Sequence, residues 1–81
     1  MDNLYNEVKE IIRKYAFDKK LVDVATENSK IIVDMKINSA RIVDIVLDIE
    51  EKYGIEVDDK SIQKIHTLGD TIDVIRNKTV K

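Results

Sequence analysis

Three kinds of side chain in this sequence could do chemistry: a single imidazole, runs of adjacent carboxylates, and a serine at the mouth of a helix. His66 is the only histidine and there is no cysteine. Nucleophilic catalysis needs a base within reach of a nucleophile, and no Ser-His-Asp or Cys-His order supports one here, so His66 reads as a solvated residue between helices. Glu50-Glu51 and Asp58-Asp59 offer paired acids, but they lie in charged surface stretches without the apolar pocket that separates two carboxyl pKa values. With no thiolate and one imidazole, a zinc site would have to be mostly carboxylate, and the calcium-loop and phosphate-cradling glycine spacings are missing. Neither a metal nor an enzymatic active site is expected. Ser39 differs from the rest. Its hydroxyl falls where a loop meets a helix start, at the positive end of the helix dipole, a place suited to carrying a phosphate and equally suited to a plain N-cap.

The elements that position these residues are helical. The chain has 81 residues, 43% hydrophobic and 37% charged, with no proline and glycine only at 54 and 69. That length accommodates one core, so residues 1–81 form a single domain. Leu4, Val8, Ile11, Ile12 and Tyr15 fall at steps of three and four and predict a first helix over 3–15. A second opens at Asn38-Ser39, both good N-caps, and ends at Tyr53-Gly54-Ile55, where glycine can turn left-handed. Asp58 or Asp59 caps a short third helix through Ile62 and Ile65, and the capping box of Thr67 and Asp70 starts a fourth through Ile72, Val74 and Ile75. Between the first two, residues 16–38 carry turn formers, yet Phe17, Leu21, Val22, Ile31 and Val33 are too apolar for a free linker. This segment is expected to be a long loop pinned to the core; Ile31-Ile32-Val33 has strand composition but no second strand to pair with. The fold class is all-α, a small four-helix bundle with a long first loop and a short third helix.

On the second helix, Ile42, Ile45, Val46, Ile49 and Tyr53 cluster on one side of a helical wheel and define the buried face. Val43 and Leu47 lie opposite beside Ala40, with Asp44, Asp48 and Glu51 within a quarter turn. Two readings fit this outward stripe: a docking surface for a basic partner, or Leu47 tucked against the long loop. Charge adds to the first. Residues 39–59 hold seven acids against Arg41 and Lys52, a local charge of −5 in a chain whose net charge is −2. The acidity excludes nucleic acid as a partner class. No apolar run reaches the roughly 20 residues of a membrane span and no leader pattern opens the chain, so a cytoplasmic monomer is expected.

The stretch Ile31-Ile32-Val33-Asp34-Met35-Lys36-Ile37-Asn38-Ser39-Ala40 resembles the attachment site of the acyl carrier protein family, which reads roughly as an apolar residue, two variable positions, Asp-Leu-Gly-x-Asp-Ser-Leu, and then an acidic amphipathic helix. The likeness continues from Arg41 to Val57, whose last part is similar to the family's L-E-E-x-F-G-I-x-I, and through Ile65-His66-Thr67-Leu68-Gly69-Asp70, similar to its I-x-T-V-G-D. Order and spacing together carry it, over residues 4–76.

The resemblance implies that Ser39 takes the place of the modified serine, bearing a 4'-phosphopantetheine arm taken from coenzyme A, on which acyl or aminoacyl groups ride as thioesters for fatty acid, polyketide or related biosynthesis. It implies a phosphopantetheinyl transferase as one partner and acyl-activating and acyl-transferring enzymes with basic docking surfaces as others. Val43, Asp44, Leu47, Asp48, Glu50 and Glu51 are the docking residues on that reading. If the cargo is fatty, the resemblance and the aliphatic composition together point to a pocket among Val33, Ile42, Val46, Ile55, Ile62 and Val74. Lys36 stands where the family has Gly, Asn38 where it has Asp, Ala40 where it has Leu, and Arg41 where many members are acidic. These departures alter the docking face and point to a specialised rather than a housekeeping carrier. The competing reading is an unmodified helical interaction domain that shares the fold.

Overall fold

The computed structural model of the chain describes residues 3–79. Its architecture is all-helical: α1 (Leu4–Arg13), α2 (Lys19–Asp23), α3 (Arg41–Tyr53), α4 (Asp59–Gln63) and α5 (Leu68–Thr79). Helix α1 packs against α2, α3 and α5, and α3 against α5. The interior is almost wholly aliphatic, with Val8, Ile12, Val22, Ile31, Met35, Ile45, Ile49, Leu68 and Ile72 among its buried residues.

Helix α1 ends two residues before the expected Tyr15. The amides of Lys14 and Tyr15 bond three residues back, to the carbonyls of Ile11 and Ile12, and the Lys19 ammonium donates to the carbonyls of Arg13 (3.0 Å) and Ala16 (3.4 Å). A cation on the last carbonyls satisfies groups that the helix leaves unpaired. The same lysine opens α2, an element absent from the sequence expectation. Asp18 caps it through a bond from the Lys20 amide (3.1 Å), and Val22 is its one buried residue. Five residues are too few for a period to register, which is why the segment reads as loop in the sequence. Phe17 also departs from expectation. Its apolar character placed it among the pins of the loop, but it is 99% exposed.

Residues 26–38 are held instead by Ile31, Met35 and Ile37, all buried, and by backbone bonds to the α4–α5 connection. Ile31 donates to the His66 carbonyl (2.9 Å), and Leu68 and Gly69 donate to the carbonyls of Ser29 and Glu27. The only pairing of strand type among the described residues is an isolated bridge between Lys30 and Thr67, so Ile31-Ile32-Val33 forms a turn rather than a strand. Gly69 suits this close approach, since a Cβ would stand 3.1 Å from the Glu27 carbonyl oxygen and press the backbone there apart.

The last three helices each keep one boundary at its local signal, but α3 starts at Arg41, after the expected Asn38-Ser39, and α4 ends at Gln63, short of the expected Ile65. Gly54 is left-handed at φ 64° and the Ile55 amide returns to the Glu50 carbonyl, closing α3. Asp58 accepts from the Ser61 amide (2.9 Å). Thr67 and Asp70 exchange side-chain to backbone bonds in both directions, at 3.1 and 3.0 Å, as a capping box requires.

Candidate functional site

The turn before α3 is built by Asn38. Its side-chain oxygen accepts from the Ala40 amide (2.9 Å) and its carbonyl from the Arg41 amide (2.8 Å). Ser39 therefore does not act as the side-chain cap. Its carbonyl accepts from the Ile42 amide, its side chain is exposed, and its hydroxyl has no hydrogen-bond partner among the described residues. Asn38 relieves the serine of a structural duty and leaves the oxygen available. Three residues upstream, Lys36 adopts φ 54°, the left-handed region that disfavours a side chain. That strained residue sits between the buried Met35 and Ile37 and turns the chain towards Ser39.

Helix α3 divides as the wheel requires. Ile42, Ile45, Val46 and Ile49 are buried, while Val43 and Leu47 are each 55% exposed, so Leu47 is not tucked against the loop. The acids behave differently from one another. Asp44 is half-buried at the edge of the outer stripe and pairs with Arg41 one turn back (2.9 Å); Glu51 is exposed. Asp48 turns to α1, accepting from the Tyr15 hydroxyl (2.7 Å) and pairing with Lys14 (3.0 Å). The Tyr15 hydroxyl and then Lys14 hold the Asp48 carboxyl below the usual carboxylate range, and the same bond raises the Tyr15 phenol. Glu50 accepts from the Val57 amide (2.7 Å) and pins the chain after Gly54. Both were expected on the docking face, and both commit their carboxylates internally. Four of the six expected docking residues thus share an open surface: Val43, Asp44, Leu47 and Glu51.

Of the expected acyl-pocket residues, Ile42 and Val46 are buried, and Ile55, Ile62 and Val74 are partly buried against the core. Val33 is 66% exposed and is removed from that set, because the turn closed by the Asp34 carboxylate on the Lys30 amide (2.8 Å) carries it outward. His66 is exposed, and no group of three or more metal-ligating side chains is gathered among the described residues.

No protein-family model matches the chain. It is 37% identical over 78 residues to an acyl carrier protein of Thermotoga maritima, which covers 95% of this chain and 93% of that one. The chain belongs to the acyl carrier protein family. An acyl carrier protein of Buchnera aphidicola is 33% identical over 81 residues, the full length of both. In three dimensions an acyl carrier protein of Enterococcus faecalis superposes with a TM-score of 0.75 at 26% identity, covering 94% of each chain. Members of this family hand cargo between enzymes and are not themselves enzymes, which agrees with the expectation from the sequence. No described helix is long and apolar enough to cross a membrane.

Proposed function

We propose that this carrier bears 4'-phosphopantetheine on Ser39 and moves acyl intermediates between biosynthetic enzymes. The observation that supports the reading is the exposed, uncommitted Ser39 hydroxyl in the turn that the Asn38 side chain closes. The surroundings suit a phosphodiester: Asn38 is neutral where an acid would repel, Arg41 follows closely, and the positive end of α3 faces the turn. When attached, the group supplies a thiol at the end of a flexible arm; the chain itself supplies a hydroxyl and a surface to grip. Val43 and Leu47 would give that surface its apolar contact, and Asp44 and Glu51 the charge that steers a basic transferase or acyl-transferring enzyme to it. A fatty cargo would enter between α3 and the rest of the bundle beside Ile42, Val46, Ile55, Ile62 and Val74. Such a carrier works in the cytoplasm, where coenzyme A and its transferases are found.

Incubation with coenzyme A and a broad-range transferase, followed by intact-mass spectrometry, tests the attachment. The expected gain is roughly 340 Da, from the chemistry of the arm, and Ser39→Ala abolishes it with the helical circular dichroism unchanged. If Ser39→Ala still gains the mass, Ser29 or Ser61 carries the arm. If the wild type gains nothing, the unmodified interaction domain is the better description.

A further inference from the structure

The carboxylates of α3 do not meet solvent alike. Asp48 and Glu50 are committed inside the chain, and Asp44 is matched by Arg41, whose Nη1 lies 2.9 Å from its carboxylate. Glu51, two turns beyond Asp44 on the same side of the helix and about 10 Å further along its axis, is exposed. Around Ser39 the balance is reversed. Between Asp34 and Asp44 the chain has no acid and two bases, Lys36 and Arg41, both exposed, and Asp34 turns its carboxylate to the Lys30 amide (2.8 Å). The outer side of α3 therefore runs from basic at its mouth to acidic at Glu51.

Helix stability does not explain Arg41. It is the first residue of α3, where a cation opposes the helix dipole, and its pair with Asp44 joins side chains 50% and 38% exposed, a setting in which an ion pair adds little to the fold. What the pair does change is the field that an approaching protein meets. Opposite charges 2.9 Å apart largely cancel at a distance, and at moderate salt charges are screened beyond about 10 Å, so Arg41 offsets Asp44 and leaves Glu51 untouched. We infer that Arg41 is a selectivity residue: paired with Asp44, it removes that acid from the steering of partners to Ser39. The carrier then suits partners whose basic groups meet Glu51 and not the serine end, and disfavours those that are basic along the whole face. This inference rests on the function proposed above and names the partner chemistry of the same surface. Arg41 acts through Asp44 and not on the Ser39 hydroxyl.

The probe is a phosphopantetheinyl transferase whose carrier-binding face is basic. Its affinity for the full chain is measured without coenzyme A by fluorescence anisotropy, and kcat and KM for arm transfer are then followed by intact mass. At about 20 mM salt Arg41→Gln is expected to tighten binding about three- to tenfold and to lower KM with kcat unchanged. Arg41→Lys, which keeps the charge, stays close to the wild type. The gain disappears in the Asp44→Asn background and at about 0.5 M salt. Binding that Arg41→Gln leaves unchanged or weakens overturns the inference, and so does a gain that survives in the Asp44→Asn background. A fall in kcat also overturns it, placing Arg41 on the transferred phosphate. If the wild type gains no mass, the attachment reading fails, while the affinities measured without coenzyme A still decide the role of Arg41.

Discussion

Helix α3 presents two flanks built from the same residue types and put to different uses. On the inner flank Ile45 and Ile49 are buried, Asp48 is held by Tyr15 and Lys14, and Glu50 by the Val57 amide. On the outer flank Val43 and Leu47 meet solvent and Asp44 has only an exposed pair with Arg41. One helix therefore anchors the bundle and displays a surface, and a residue's role depends on what lies across from it rather than on its type. An exposed ion pair contributes little to stability, so the outer flank is free to serve recognition, whereas the inner acids are needed to brace α3 against α1 and the chain after it.

The largest expected contrast lies between the two aliphatic sets. Ile49 is 2% exposed, and Ile49→Ala removes buried methyl groups and leaves a cavity, costing about 2 to 5 kcal/mol. Leu47→Ala, two residues away, should change stability by less than about 0.5 kcal/mol. Urea denaturation of the two variants reads the difference. Similar losses would show that the outer stripe packs against something, and the division of α3 would fail.

A smaller effect separates the acids by pH. The Tyr15 hydroxyl, then Lys14, lowers the folded-state pKa of Asp48. The Ser61 hydroxyl and amide do the same for Asp58. At Asp70 burial alone would raise the carboxyl, but the amides of Thr67 and His66 and the Thr67 hydroxyl outweigh it and the net shift is downward. A lowered folded pKa means the unfolded chain takes up protons first on acidification. Stability is therefore whole well above the ordinary carboxyl pKa of about 4 and falls as pH drops through the folded values. Tyr15→Phe should destabilise the chain at neutral pH and make its acid loss shallower, with melting curves that converge on the wild type at low pH. Parallel curves across the whole range would mean that the hydroxyl does not act through Asp48.

These contrasts also mark what the sequence discloses. The ends of α3, α4 and α5 were legible because each signal acts within four residues: Gly54 after Tyr53, Asp58 before Ser61, Thr67 before Asp70. The buried and open faces of α3 followed from period alone. Phe17, Val33, Asp48 and Glu50 were misplaced for one common reason. Residue type states a transfer free energy or a charge, while their positions depend on partners elsewhere, as with Tyr15 and Asp48, 33 residues apart. Helix α2 was lost because its single buried residue, Val22, gives no period, and Ser39 was recognisable as a helix-mouth serine without revealing that Asn38 closes the turn before the helix.

The smallest effect sharpens the comparison from outside both flanks. Two described residues are left-handed, one on either side of α3: Gly54 at φ 64° and Lys36 at φ 54°. Glycine adopts this region freely, whereas a side chain there costs about 1 to 2 kcal/mol. Lys36→Gly relieves that strain but adds freedom to the unfolded chain, a loss of roughly 0.5 to 1 kcal/mol. The net expectation is a gain of up to about 1.5 kcal/mol in urea denaturation, and the change touches neither the inner packing nor the outer stripe. If transfer of the arm to Ser39 then keeps its rate, the left-handed turn serves only to route the chain between Met35 and Ile37. A slower transfer with higher stability would mean instead that the Lys36 ammonium, three residues before the serine, takes part in recognition, and the open surface of α3 would have to be extended to include it.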